Sequence, residues 1–227
     1  MKQLEAVIFD MDGVLIDSEP IHYAIERILF AELGILVSDE LHKTYLGTAG
    51  DFMYQDIKTK FNLPQSLNDL LEFDEQFRCS YFRDLDGLVL NEGVGTLLRE
   101  IKAAGLKMAV ATSSSPEMAM ILLERCGISS FFNAIVTTKE AGKSKPAPDV
   151  YRLAAQKIGV SSDNCLVFED SPNGLLAAKN AEMVCVAVLT HSVDPSELTL
   201  ADAQINSFKD MTFYSLSSFF TAGRLVK

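Results

Sequence analysis

The sequence predicts an α/β fold: a Rossmann-like, mainly parallel sheet forms the core, and an all-helical cap is inserted near its beginning. Two observations support this prediction. From residue 107 onward, short apolar or β-branched runs alternate with segments of helical periodicity, which is typical of parallel strands joined by crossover helices. Between residues 18 and 85 apolar residues recur at helical spacing instead, so this stretch is expected to be helical throughout.

The strands of the core are predicted at short apolar runs, namely 4–9, 108–111, 134–136, 165–168 and 184–188. Three helices between them have recognisable ends, because a glycine follows each helical period, at Gly105, Gly127 and Gly159. Two helix starts are equally clear. Ser115 and Ser171 each precede a proline, which gives a capping side chain followed by a residue suited to the first helical turn.

The insert is predicted to contain amphipathic helices. One ends at Gly34 and is expected to bury Ile21, Ile25, Ile28 and Leu29. Another begins after a capping Ser66 and is expected to place on one face Leu67, Leu70, Leu71, Phe77 and Tyr81. The resulting domain boundaries are 1–17 and 87–227 for the α/β core, and 18–86 for the cap.

Composition restricts the function. The chain carries 20 basic and 31 acidic residues, a net charge of −11, which disfavours binding to nucleic acid. It lacks the run of about 18 apolar residues that a membrane span needs, and its first residues do not read as a signal peptide. Its four cysteines are far apart in the sequence, which favours buried thiols in a reducing compartment. We therefore expect a cytoplasmic protein with no membrane or nucleic-acid partner, and a monomer.

Four polar clusters follow the predicted strands, directly or after a short loop. They are Asp10-Met11-Asp12-Gly13, Thr112-Ser113-Ser114-Ser115, Lys143-Ser144-Lys145-Pro146 and Glu169-Asp170. The carboxyl ends of parallel strands lie at one edge of a sheet, where ligands bind. The four clusters are therefore expected to form one site.

The chemistry of the clusters is mutually consistent. Converging carboxylates repel one another unless they bind a hard cation, and Mg²⁺ with its oxygen ligands is the most plausible one. Lys145, with the hydroxyl and amide donors of Thr112, Ser113 and Ser114, offers what a phosphate group requires. A metal site, a phosphate site and a spare carboxylate nucleophile together predict phosphoryl transfer.

The clusters also carry a resemblance. Residues 10–19, Asp-Met-Asp-Gly-Val-Leu-Ile-Asp-Ser-Glu, resemble the opening motif of the haloacid dehalogenase-like phosphatase superfamily. Residues 111–114, 144–149 and 168–174 resemble its second, third and fourth motifs, in the same order and spacing. The insert after the first motif is similar to the small helical cap of that family. The residues of the motifs are similar to those of the β-phosphoglucomutase-like branch and of the sugar-phosphate or nucleotide-type phosphatases grouped with it.

This resemblance implies roles for the two aspartates of the first motif. Asp10 would be the nucleophile that forms an aspartyl-phosphate, with its other oxygen on Mg²⁺. Asp12 would protonate the leaving alcohol, then deprotonate water, and its backbone carbonyl would also bind the metal. Two residues apart in extended backbone, both side chains project to the same side.

The later motifs supply the remaining groups that the resemblance implies. Asp170, with Glu169, would complete the metal shell. Thr112 and Ser113 would hold the oxygens of the transferred phosphoryl group, and Lys145 would offset their charge and that of Asp10. Because Asp12 and the Glu169-Asp170 pair are present, cleavage of a carbon–halogen bond is disfavoured.

Several of the candidate site residues have an alternative role. Lys143 competes with Lys145 for the phosphate-facing role, but only Lys145 precedes Pro-Ala-Pro, so Lys143 is interpreted as a solvated charge. Ser114 either touches substrate or caps the following helix. Asn173 either touches substrate or shapes the next helix start. His22 is placed like a histidine of many β-phosphoglucomutase-like proteins, and is either a substrate-side group or structural.

The choice between hydrolase and mutase depends on the cap. A mutase must hold a second phosphate, and the position where β-phosphoglucomutases resemble one another in carrying an arginine is Gly50 here. Arg78 and Arg83, toward the end of the cap, could anchor an anion, but on a helix surface they are interpreted as solvated. His42 and His191 are interpreted as surface residues. The sequence therefore favours a Mg²⁺-dependent phosphatase acting on a small phosphorylated metabolite, sugar phosphate or nucleotide-like, with β-phosphoglucomutase as the alternative. A binding protein without catalysis would be expected to lose Asp10 or Asp12.

Overall fold

A single sheet of six parallel strands organises the core. In the computed structural model, which describes residues 2–45, 50–190 and 193–225, the strands are β1 (Ala6–Phe9), β2 (Lys107–Thr112), β3 (Ala134–Thr137), β4 (Cys165–Glu169), β5 (Val184–Val188) and β6 (Ala203–Ile205). Their order across the sheet is β3-β2-β1-β4-β5-β6, and every neighbouring pair is parallel. The predicted fold class is confirmed.

Two compact units divide the chain. The first, here called the core, comprises Met1–Ser18 and Gly87–Lys227, and the second, the cap, comprises Glu19–Asp86. The core helices are α5 (Val94–Ala103), α6 (Pro116–Arg125), α7 (Thr138–Ala141), α8 (Asp149–Lys157), α9 (Pro172–Asn180) and α10 (Phe213–Leu225). The cap helices are α1 (Glu19–Glu32), α2 (Asp39–Lys43), α3 (Gly50–Phe61) and α4 (Leu67–Asp84).

The strands are buried along almost their whole length, as a parallel sheet covered by helices requires. All four residues of β1 are fully buried, and so are those of β4 and all but the last of β5. The edge strand β6 is only partly buried and contains no long apolar run, which is why the sequence pattern did not reveal it. The C-terminal helix α10 was also not predicted.

The predicted helix starts of the core are confirmed. The hydroxyl of Ser115 accepts a hydrogen bond from the amide of Met118 at 3.1 Å, and Pro116 opens α6. The hydroxyl of Ser171 accepts from the amide of Gly174 at 3.0 Å, and Pro172 opens α9. Each serine hydroxyl satisfies a helix amide at the edge of the sheet that carries the polar clusters.

The cap has its own apolar centre. It is formed by Phe30, Val37, Tyr45, Met53, Tyr54, Ile57, Leu63 and Leu70. Ser66 begins α4 with a reciprocal capping box, because its hydroxyl accepts from the Asp69 amide while Asp69 accepts from the Ser66 amide. The predicted apolar face of α1 is correct for Ile25 and Leu29 but wrong for Ile28, which is 37% exposed.

The cap also contains a buried polar network that the sequence did not predict. Arg78 was interpreted as solvated, but its side chain is only 12% exposed because acceptors surround it. Its Nε lies 2.8 Å from Asp74 Oδ1, its Nη2 3.0 Å from Glu26 Oε1, and its Nη1 2.8 Å from His22 Nδ1. Arg83, by contrast, is exposed.

His42 is a second correction. It was interpreted as a surface residue, but it is fully buried. Its Nε2 lies 2.7 Å from Glu26 Oε2, and its ring stacks on Tyr23 with centroids 4.0 Å apart. A carboxylate partner and an aromatic neighbour make burial of the imidazole favourable. His191, and the segment 46–49 that precedes Gly50, lie outside the described residues.

The remaining composition-based expectations concern cysteines and membranes. Cys79, Cys165 and Cys185 are buried, Cys126 is half-buried, and all four are free thiols. Within the described ranges, none of the helices combines the length and apolar character that crossing a membrane requires.

Gly93 provides a test of the core packing. Its φ is +91°, and a Cβ there would lie 2.2 Å from the backbone carbonyl of Phe208. Gly93→Ala should therefore lower the free energy of unfolding by at least about 2 kcal/mol, measured by urea denaturation.

Gly127→Ala is the matched control, because Gly127 has φ of +68° and no atom within 4 Å of the added Cβ. It should cost only about 1 kcal/mol, for the left-handed backbone alone. Equal losses in the two variants would contradict the close approach of the segment around Phe208 to α5.

Candidate active site

Asp10 lies at the centre of the carboxyl edge of the sheet. It follows β1 directly, and β1 lies between β2 and β4. The amide of Asp10 donates to the carbonyl of Phe168 at 3.0 Å, which continues the β1–β4 ladder by one residue. The residue is 7% exposed. Strand pairing thus brings Asp10 beside the Glu169-Asp170 pair at the end of β4.

Lys145 joins two of the polar clusters. Its Nζ lies 2.6 Å from Asp10 Oδ1 and 2.5 Å from Glu169 Oε1, and its side chain is 7% exposed. Lys143 is different, since it is 71% exposed and 3.9 Å from Asp149. Of the two lysines that the sequence offered, Lys145 is therefore the one that contacts the carboxylates.

Glu169 is held by protein donors on both oxygens. Its Oε1 accepts from Lys145 and from the hydroxyl of Tyr151, the latter at 2.7 Å. Its Oε2 accepts from the Asp170 amide and from the amide and hydroxyl of Ser171, each at 3.0 Å. Five donors exhaust the roughly four lone-pair sites of a carboxylate. The side chain is consequently fixed in one position.

Tyr151 is a site residue that the sequence analysis missed. It is fully buried on α8, and Lys145 Nζ lies 5.2 Å from the centre of its ring. The signal was available, because Tyr151 shares a helix face with Ala154 and Ala155, and a buried tyrosine needs a partner for its hydroxyl.

Two glycines make room for the carboxylates. A Cβ on Gly13 would lie 2.0 Å from Asp170 Oδ2, and one on Gly174 would lie 1.7 Å from Glu169 Oε1. One carboxylate oxygen each from Asp10, Glu169 and Asp170 lie within 4.8 Å of one another. The glycines of the first and fourth motifs thus permit a density of negative charge that side chains there would prevent.

The pKa directions follow from burial and from Lys145. Burial raises the pKa of Asp10 to about 7, although the nearby ammonium of Lys145 opposes this. Burial alone would also raise the pKa of Glu169, but the charge and hydrogen bond of Lys145 lower it below its usual value. Burial would lower the pKa of Lys145, yet Asp10 and Glu169 raise it. The charged forms of Lys145 and Glu169 are therefore favoured. For Asp10, the positive charge of Lys145 is not enough to offset the effect of burial on its pKa.

Asp12 is held by two hydroxyl groups. Ser18 Oγ donates to its Oδ1 at 2.6 Å, and Ser114 Oγ donates to its Oδ2 at 2.7 Å. The side chain is half-buried. The second polar cluster therefore contacts the first through Ser114, whose expected partner was a substrate or a helix amide.

The other expected phosphate-binding residues of the core lie at or after the end of β2, or at the start of the helix that follows β4. Thr112 is the last residue of β2, is 1% exposed, and accepts from the Ser114 amide at 3.0 Å through its hydroxyl. Ser113 is exposed, and so is Asn173 in the first turn of α9. His22 belongs to the cap, where Arg78 Nη1 lies 2.8 Å from its Nδ1.

Asn91 is another residue that the sequence analysis missed. Its side-chain amide donates to the carbonyls of Gly13 and Val14, at 2.7 and 2.9 Å. Its backbone amide donates to the carbonyl of Leu15 at 3.0 Å. It therefore holds the loop that follows Asp10 and Asp12. A lone asparagine 78 residues away from that loop carries no local sequence signal.

A buried carboxylate paired with a buried ammonium at the ligand-binding edge of a parallel sheet is characteristic of an enzyme. The chain is thus an α/β enzyme with its chemistry at one end of the sheet. Residues 7–188 match the haloacid dehalogenase-like hydrolase family, and the chain belongs to that family. The resemblance carried by the four motifs is confirmed.

Characterised relatives are similar over nearly the whole chain. Hexitol phosphatase B of Escherichia coli (strain K12) is 32% identical over 217 residues, which cover 93% of this chain and 96% of the relative. A phosphorylated carbohydrates phosphatase of Thermotoga maritima is 29% identical over 197 residues, covering 87% and 90%. A variant of CbbY from Rhodobacter sphaeroides, solved with xylulose-(1,5)bisphosphate, has a TM-score of 0.83 at 27% identity, covering 95% and 100%.

Tyr151→Phe tests the hydrogen bond that fixes Glu169. The variant keeps the ring beside Lys145 and removes one donor to a buried charge, so the free energy of unfolding should fall by about 1.5–3 kcal/mol in urea denaturation.

Tyr214→Phe is the matched control, since Tyr214 is 82% exposed, and it should change stability by less than about 0.5 kcal/mol. If Tyr151→Phe were as neutral as this control, the contact between Tyr151 and Glu169 would not contribute to folding.

Proposed function

We propose that the protein is a Mg²⁺-dependent phosphatase that hydrolyses a small phosphorylated sugar or related metabolite through an aspartyl-phosphate on Asp10. That it is a phosphoric monoester hydrolase follows from its family and from relatives that are named phosphatases. The observation that best supports the mechanism is the buried contact of Lys145 with Asp10 and Glu169, next to Asp170.

The donor set fits a magnesium ion. Asp10, Glu169 and Asp170 offer only oxygen atoms, and their charge exceeds that of Lys145 alone. The raised pKa of Asp10 likewise calls for further positive charge. Asp10, Asp170 and the backbone carbonyl of Asp12 would hold the ion, while Glu169 would add charge, since protein donors already occupy its oxygens. When bound, Mg²⁺ would neutralise phosphate oxygens and keep Asp10 ionised.

Asp10 would act as the nucleophile. Its carboxylate oxygen forms a bond to phosphorus as the bond from phosphorus to the leaving alcohol breaks. Lys145 positions this carboxylate from 2.6 Å and offsets charge on the transferred group. Thr112 and Ser113, at the end of the neighbouring strand, would donate hydrogen bonds to the phosphoryl oxygens.

Asp12 would move the proton in both halves of the reaction. As a carboxylic acid it gives a proton to the leaving oxygen, and as a carboxylate it takes one from the water that attacks phosphorus. Water attack breaks the Asp10–phosphorus bond and releases inorganic phosphate. Because Asp10 and Asp12 are on one segment after β1, both can serve the same phosphorus atom.

The cap, residues 18–86 in the sequence-based division, would select the substrate and exclude bulk water. His22 would be a substrate-side group whose Nδ1 is engaged by Arg78. The two phosphatases named above act, by their names, on carbohydrate or hexitol phosphates, which favours hydrolysis over the phosphoglucomutase alternative. We further propose a monomer that works in the cytoplasm, where its four free thiols would stay reduced.

The activity is tested by incubating the protein and Mg²⁺ with hexose phosphates, hexitol phosphates, a nucleoside monophosphate, and β-glucose 1-phosphate with a trace of the 1,6-bisphosphate. We expect free phosphate from at least one sugar or hexitol phosphate, and its loss on addition of EDTA. Asp10→Asn should reduce turnover to less than about a thousandth.

The control for Asp10→Asn is Asp163→Asn, a surface aspartate paired with Lys2, which should keep full activity. Glucose 6-phosphate formed without free phosphate would identify a mutase. Substantial turnover by Asp10→Asn would exclude the covalent mechanism.

The role of Lys145 is tested by a matched pair of substitutions. Lys145→Met leaves two buried carboxylates without their ammonium, so kcat/KM should fall by about a hundredfold or more and stability by about 3 kcal/mol. Lys143→Met removes an exposed charge. Its kcat/KM should stay within about twofold of wild type, and its free energy of unfolding within about 0.5 kcal/mol. Similar losses in both variants would show that the buried contact has no special role.

A further inference from the structure

Both carboxylate oxygens of Asp12 are engaged by serine hydroxyls, one from its own segment and one from the segment that follows β2. Ser18 Oγ lies 2.6 Å from Oδ1, and Ser114 Oγ lies 2.7 Å from Oδ2. Ser18 is the last core residue before the cap, whereas Ser114 follows β2. Ser114 therefore ties Asp12 to the segment that follows β2, whereas Ser18 is on the same segment as Asp12.

The capping of α6 is the role of the neighbouring Ser115 and not of Ser114. The hydroxyl that caps α6 is that of Ser115, which accepts from the Met118 amide at 3.1 Å. Ser114 is itself fixed, because its amide donates to the Thr112 hydroxyl at 3.0 Å. Its own hydroxyl is half-buried and is turned to Asp12 instead of a helix amide.

We infer that Ser114 is a positioning residue for Asp12 and not a ligand of the substrate phosphate. This inference rests on the proposed function, in which Asp12 protonates the leaving oxygen and then deprotonates water. A serine hydroxyl can donate to a carboxylate oxygen and can go on donating to the carbonyl oxygen of the protonated acid, which leaves the acid proton free for the leaving oxygen. Ser114 can therefore hold Asp12 in one orientation through both halves of the reaction.

The inference has a specific kinetic consequence. Protonation by Asp12 matters most when the leaving oxygen is strongly basic, as the alkoxide of a sugar is, and least for p-nitrophenolate, which leaves without help. Loss of the Ser114 hydroxyl should therefore harm the hydrolysis of a sugar phosphate selectively. A residue that only bound the phosphate would affect both substrates equally, because both carry the same phosphate group.

The experiment compares kcat/KM for p-nitrophenyl phosphate with kcat/KM for the sugar phosphate that is turned over fastest in the panel. Ser114→Ala should lower the sugar phosphate value by about 10- to 100-fold and the p-nitrophenyl phosphate value by less than about threefold. Ser114→Thr keeps the hydroxyl and should restore the sugar phosphate value to within about threefold of wild type.

Ser115→Ala is the adjacent structural control. It removes the α6 cap, so it should lower the melting temperature while leaving the ratio of the two kcat/KM values unchanged. Equal losses for both substrates in Ser114→Ala, together with weaker inhibition by inorganic phosphate, would overturn the inference and assign Ser114 to phosphate binding.

Asp12→Asn separates this inference from the proposed function. If Asp12→Asn is selective against the sugar phosphate and Ser114→Ala is not, only the role of Ser114 is overturned. If Asp12→Asn shows no selectivity, the acid role of Asp12 fails, and with it the inference. If wild-type protein hydrolyses neither substrate, the proposed function itself is wrong.

Discussion

The site depends on one buried cation, the ammonium of Lys145, between the carboxylates of Asp10 and Glu169. Burying a carboxylate without compensation is unfavourable, and here three lie within 4.8 Å at the end of two adjacent strands. One ammonium stabilises Glu169 in its charged form but leaves the pKa of Asp10 raised. These three carboxylates thus carry more negative charge than Lys145 can neutralise, and this deficit of positive charge supports the divalent cation proposed for this edge of the sheet.

The acidic side chains of the site are held in two different ways. Glu169 accepts from five donors, two of them backbone amides, and is fixed together with Lys145 and Tyr151. Asp12 accepts from the hydroxyls of Ser18 and Ser114, and both hydroxyls can rotate. Rigid donors suit a carboxylate that keeps one charge state, whereas rotatable hydroxyls are compatible with the acid and base role proposed for Asp12.

The sequence predicted the parallel sheet, five of its strands, the capping serines and the clustering of the four motifs, because each depends on local pattern or on the common edge of a parallel sheet. It did not predict β6, which is short and half-exposed. It also misjudged His42 and Arg78, because burial of a charged or polar side chain depends on partners from other helices, here Glu26 on α1. Asn91 and the contact of Ser114 with Asp12 were missed for the same reason, because contacts between residues far apart in the chain leave no mark on local spacing. Tyr151 differs, since its place on an apolar helix face was a usable signal.

The strand order also governs how the chain can acquire its structure during synthesis. β1 is synthesised first but pairs with β2 and with β4. Ala6 therefore gains its partners only after Lys107 on one side and Cys165 on the other have been synthesised. The apolar centre of the cap, in contrast, is built from residues of one continuous stretch of chain, between Phe30 and Leu70. On the ribosome the cap sequence therefore emerges complete long before β1 finds its second neighbour, and Asp10 meets Glu169 and Asp170 only after β4 has been synthesised.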